Sequence, residues 1–284
     1  MLRPRFPPEL LDQIVDHFHY TRDALKSCCL VSKSWVPRTR RHLFADVTFR
    51  TAGDLQAWKD MFPDPSTSPA RYTKNLFVYC PEEVTTADAE KRSWLLAFSR
   101  VVHLRMHIDD AASSLVPFHG FSPALKSLSV SYPDFPFSQT LSLIRSFPLI
   151  EDLSLTTFGD LLIESDDGSD GQQTTAQPPL TGTLELYIRT GMNLVVSRLL
   201  SPPNGYRFRK LELALNCDDD IVFASVLVER CRLTLESLKL CFGLYGTIVL
   251  HPYPCHWLIP YICSRAAVMF DRPFNCVRTQ GRGV

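Results

Sequence analysis

The chain has 284 residues, 45% of them hydrophobic, which allows one large domain, a repeat array, or a small domain joined to a larger one. Lys plus Arg and Asp plus Glu both count 30 and the pI is near 7.1, so no global charge argues for nucleic acid or an acidic substrate. Nine cysteines, an odd number without a disulfide rhythm, read as reduced thiols and place the chain in cytoplasm or nucleus. The opening MLRPRFPPEL has no long apolar run, so no secretory leader is expected.

The first predicted element is a helix in PPELLDQIVDHF. Pro7 and Pro8 stand at its entrance, Glu9 suits the first turn, and Leu10, Leu11, Ile14, Val15 and Phe18 form one broad apolar face. A second helix comes next, with Thr21 as its cap, Asp23 in its first turn, and Leu25, Cys28 and Cys29 on its buried side. Ser32 or Ser34 is expected to cap a third helix, with Pro37 in its first turn, Leu43 and Phe44 at its end, and Arg38, Arg40 and Arg41 as a basic flank. Three helices in so short a span bury little surface alone, so they need a downstream neighbour or a partner.

The run FPPELLDQIVDHF…ALKSCCLVSKSWVPRTRRHLF, residues 5 to 46, resembles an F-box, and LVSKSWVPRTRRHLF is especially similar to F-box proteins of mushroom-forming fungi. The matching positions are Pro8, Glu9, Leu10, Leu11, Ile14, Leu30, Val31, Ser32, Lys33 and Trp35; Phe6 and Pro7 replace the usual opening, and HYTRDALK lengthens a loop. The resemblance implies docking on Skp1 in a cullin-RING ubiquitin ligase, through Pro8, Leu10, Leu11, Ile14, Val15, Phe18, Leu25, Cys28, Leu30, Val31 and Trp35. It implies a non-catalytic adaptor for ubiquitin-dependent degradation, with no cofactor and an unknown client protein. Two rivals are a helical cap that only shields the first repeat behind it, and a helix-turn-helix using Arg38, Arg40 and Arg41 on phosphates.

Behind this unit a short strand recurs: an apolar residue, two variable ones, then Leu-x-apolar. It appears as FADVTF, TKNLFV, VVHLRM, LKSLSV, IEDLSL, TGTLEL, FRKLEL and LESLKL, with the first apolar of each terminal pair at 47, 76, 104, 128, 153, 184, 211 and 238. The spacing is close to the period of leucine-rich repeats. DLQAWKDMF, with Asp54 as cap and Leu55, Trp58 and Phe62 on one side, is a predicted helix. KRSWLLAF, QTLSLIRSF, MNLVVSRLL and DIVFASVLVERC are others.

The expected fold is therefore α/β: a three-helix F-box over 1–46, then an irregular leucine-rich-repeat-like solenoid over 47–243 with a curved parallel sheet. The usual asparagine of the repeat is mostly missing, which leaves a compact α/β domain as the alternative. Strand alternation points Arg105, His107, Ser129, Ser131, Ser154, Thr156, Glu185, Tyr187, Glu212 and Lys239 outward as the client-reading surface.

Residues 164–180 read as a flexible acidic insertion, Asp166, Asp167 and Asp170 failing the EF-hand spacing. Residues 244–284 read as an atypical cap or a tail. The window Leu240–Ser264 lacks charge, but Pro252, Pro254 and Pro260 argue against a membrane helix. His103 and His107 have no third ligand, and Cys255, His256, Cys263 and Cys276 do not match a zinc spacing. No GxSxG, P-loop or GxGxxG occurs, so no catalytic, metal, nucleic-acid or membrane role is expected.

Overall fold

The computed structural model describes residues 7–79, 94–108, 115, 118–132, 137–157, 180–200, 207–242 and 246–250. They form an α/β fold in two compact units that divide between Ile150 and Glu151. The first unit runs α1 (Pro8–His17), α2 (Arg22–Val31), α3 (Val36–Leu43), β1 (Asp46–Phe49), α4 (Ala52–Met61), a 3-10 turn (Pro69–Tyr72), β2 (Asn75–Tyr79), β3 (His103–His107), β4 (Ser127–Tyr132) and α5 (Phe137–Arg145). The second holds β5 (Asp152–Thr157), β6 (Thr183–Ile188), α6 (Met192–Leu200), β7 (Lys210–Ala214), α7 (Asp218–Cys231), β8 (Ser237–Phe242) and β9 (Gly246–Leu250).

Within each unit the strands pair in chain order and parallel, except β9, which lies antiparallel to β8. The recurring apolar positions fall in register. Val47, Leu76, Leu104 and Leu128 form one row in the first unit, and Leu153, Leu184, Leu211 and Leu238 form one in the second. All eight are buried, as are their partners two residues on, so the strands lay one side on the core and turn the other outward. Each buried leucine contributes about 1.5–3 kcal/mol, and no one-residue slip is tolerated because it would turn every such side chain to water.

Backbone hydrogen bonds tie neighbouring strands together at their entrances. The carbonyl of Ala45 accepts from the N–H groups of Lys74 and Asn75, at 2.8 and 2.9 Å. Lys74 accepts likewise from Val102 and His103, and Val102 from Lys126 and Ser127. In the second unit Gly182 does so for Arg209 and Lys210, and Arg209 for Glu236 and Ser237. The residue two before each row position thus ties its strand entrance to the next, pairing backbone groups that burial would otherwise leave unsatisfied.

Helix caps differ in detail from expectation. Asp54 is not the cap of α4 but its third residue: Thr51 is the N-cap, its Oγ1 accepting from Asp54 N–H at 3.3 Å while the Asp54 carboxylate accepts from Thr51 N–H at 3.1 Å. Asp220 plays that part in α7, accepting from the N–H groups of Asn216 and Cys217. Neither Thr21 nor Ser32 nor Ser34 caps through its side chain; Trp35 is the N-cap of α3, and Ser32 Oγ turns instead to Ser34.

The helical unit is anchored on the first strand and α4. Phe44 meets Trp58 and Phe62, each at 5.9 Å between ring centroids, while Phe98 meets Phe49 at 5.9 Å and Trp58 at 5.6 Å. This aromatic cluster joins the end of α3 to β1 and α4, so α1–α3 share a compact unit with the first strands.

A single close approach tests the second unit. A Cβ on Gly182 would stand 2.5 Å from the Glu151 carbonyl oxygen, whereas one on Gly53 in α4 would meet Thr51 Oγ1 at an ordinary 3.5 Å. Gly182→Ala is therefore expected to destabilise the protein by about 2 kcal/mol or more, and Gly53→Ala to stabilise it by about 0.5–1 kcal/mol. Urea unfolding of both variants checks this.

The expected insertion at 164–180 falls outside the described residues except for Leu180, and so do Asp166, Asp167 and Asp170. Of the expected tail, Gly246–Leu250 is a strand, and 251–284 lies outside. Among the described residues no helix is long and apolar enough to cross a membrane, and Leu240–Phe242 and Gly246–Leu250 of the uncharged window are strands.

Candidate functional site

The three helices sort the predicted docking residues into two groups. Val15, Leu25 and Cys28 are 1%, 1% and 7% exposed, so they are interior. Of the residues expected to dock, these three fill the interior of the helical unit itself. Leu10 and Ile14 remain 46% and 42% exposed on successive turns of α1, and Leu30 and Val31 are 90% and 67% exposed at the end of α2. Leu11, Phe18 and Trp35 are half-buried between these groups, as is Cys29; Pro8 opens α1 at its first position.

An ion cluster that sequence reasoning missed joins α1 to α3. Asp16 of α1 accepts from Arg38 Nε at 2.7 Å, from Arg38 Nη2, and from His42 Nε2 at 2.7 Å, both donors being on α3. Asp12 lies 3.8 Å from Arg38 Nη1. The Arg38 guanidinium holds the Asp16 carboxyl well below the usual carboxylate range, against a smaller opposing effect of burial, and His42 adds to the lowering. Arg38 is raised in turn. Arg38 is thus engaged inside the unit, not offered to a phosphate; Arg40 and Arg41 are exposed. Asp16 and Arg38 lie 22 residues apart, so no helical spacing could reveal the pair.

Because the folded-state carboxyl is held low, this contribution is present above the ordinary carboxylate range and is lost as pH falls below about 4. The Asp16 side chain is 38% exposed, so screening limits the effect to about 1 kcal/mol or less. Asp16→Asn is expected to lower stability at pH 7 and to narrow its difference from wild type at pH 3, measured by urea midpoints.

The outward side of the strands carries the other predicted residues. In the first unit Arg105 is exposed and His107, Ser129 and Ser131 are half-buried. Phe77 and Tyr79 of β2 belong beside them, and alternation along β2 could have found both: the Arg105 guanidinium carbon lies 5.5 Å from the Phe77 ring centroid, and the Tyr79 and His107 rings are 6.0 Å apart. In the second unit Ser154, Glu185, Glu212 and Lys239 form one register row, and Thr156 pairs Tyr187. All six are half-buried, with Lys239 Nζ donating to Glu212.

Among the described residues no group of three His, Cys, Asp or Glu could hold a metal. His103 and His107 share the outward side of β3. Cys255, His256, Cys263 and Cys276 lie outside the described residues. No family model matches the chain, and no curated protein matches it.

Proposed function

We propose that the chain is a substrate-recognition adaptor of a Skp1-cullin-F-box ubiquitin ligase, working in cytoplasm or nucleus. The α1–α3 unit would be the F-box that docks Skp1, and the strands behind it leucine-rich-repeat-like units that hold a client. The observation that carries this is the display of Leu10, Ile14, Leu30 and Val31 on helices whose Val15, Leu25 and Cys28 already fill the interior. A chain gains nothing by leaving Leu30 in water, while burying it against a partner is worth about 1.5–3 kcal/mol. These are also positions at which residues 5–46 resemble an F-box. The register of the strands and their repeated backbone ties support the repeat assignment.

In this role the chain supplies position, not a reacting group. Holding a client beside a ubiquitin-charged enzyme raises its effective concentration there. The second reading is a scaffold whose helices merely cap the first repeat, favoured by the packing of Phe44 on Trp58 and Phe62. Co-expression of the full chain with tagged Skp1 separates them: co-purification in equimolar amount is expected for the adaptor, and its absence sinks that reading.

A further inference from the structure

We propose that the outward side of β2–β4 receives an acidic peptide segment, with Arg105 taking one of its carboxylates. The adaptor reading is needed only to call that segment part of a client. Parallel register sets Phe77, Arg105 and Ser129 abreast, and Tyr79, His107 and Ser131 abreast one step on. Arg105 is exposed, its guanidinium carbon 5.5 Å from the Phe77 ring centroid, within cation–π range, and a guanidinium can take a carboxylate in two-pronged fashion. No carboxylate pairs with it among the described residues, and β2, β3 and β4 place no Asp or Glu on this side. The neighbouring β1 brings Asp46, whose carboxylate already accepts from the Asn75 amide. The polar groups that flank Arg105, Ser129 and Ser131, are hydroxyls able to donate to the same anion.

The second unit shows the opposite chemistry. Glu185 and Glu212 stand abreast on β6 and β7, and Lys239 is already paired with Glu212. An anion would be repelled there, so preference for acid belongs to the β2–β4 side. A nucleic acid fits less well. Its binding draws on several cations along a backbone and on aromatic faces open to bases. Here there is one arginine, and of the two rings Phe77 is half-buried beside Arg105, which leaves Tyr79 as a single exposed face.

The test is to pan random dodecamer peptides displayed on phage against the full chain. Binders rich in Asp and Glu are expected. The best of them, made as a fluorescein-labelled peptide, should lose about tenfold or more in affinity on Arg105→Gln, and more on Arg105→Glu. Arg105→Lys, which keeps the charge but not the two-pronged geometry, should fall between wild type and Arg105→Gln. Binders without acidic bias, acidic binders indifferent to all three variants, or displacement of the peptide by a single-stranded RNA 12-mer at equal concentration would each overturn the proposal. Unchanged thermal midpoints certify the variants. Skp1 co-purification from the same preparations is scored separately, so loss of the adaptor reading leaves the peptide result standing.

Discussion

Ile14→Asp combined with Leu30→Asp is expected to cut recovery of the chain on Skp1 by more than about a hundredfold, while moving its thermal midpoint by only a few degrees. The separation of the two effects comes from exposure. Both side chains already face water, at 42% and 90%, so a charge there costs the free protein little. In a complex each aspartate would be buried without a partner, and two such losses exceed the roughly 2.7 kcal/mol that a hundredfold represents. Val15→Asp is the contrasting control. At 1% exposure it should unfold α1, losing binding and helical circular dichroism together. A double variant that still carries Skp1 would remove the helical face from the docking surface.

Phe98→Ala is expected to cost about 3–5 kcal/mol. Phe98 is fully buried and stands between Phe49 and Trp58, so its removal opens a cavity beneath the rings that anchor α3. Phe98→Leu should cost less, about 1–2 kcal/mol, because most of the volume remains. Phe49→Ala and Phe98→Ala combined should cost less than their sum, since both remove the same ring contact. Urea unfolding followed by tryptophan fluorescence reads all three. A cost below about 1 kcal/mol for Phe98→Ala would show that the cluster does not hold the joint.

Much of the fold was legible because its signal is local. The Leu-x-apolar pairs mark β1 to β8 at the register positions where they occur, from Val47 to Leu238, since alternation of burial is written in each of these strands. The helix DLQAWKDMF was likewise visible, although its cap was misplaced from Thr51 to Asp54; both residues belong to one capping box, and sequence alone does not say which is the N-cap. The outward strand residues are legible by parity, including Arg105 and Lys239, and the same parity places Phe77 and Tyr79 beside Arg105 and His107.

The sequence by itself determined helices α1 to α7, the rows of β1 to β8 and which side of those strands meets the core, because periodicity of 3.6 and of 2 follows from backbone geometry; it did not reveal β9. Only the tertiary structure decided how the apolar helix face is shared: Val15, Leu25 and Cys28 inward, Leu10, Ile14, Leu30 and Val31 outward, with Cys28 buried and Cys29 half-exposed. It alone brought Asp16 to Arg38 and His42, and Phe44 to Trp58 and Phe62. The physical reason is the same in each case. A hydrophobic pattern states how much surface must leave water, but which neighbour covers it depends on packing between segments far apart in the chain.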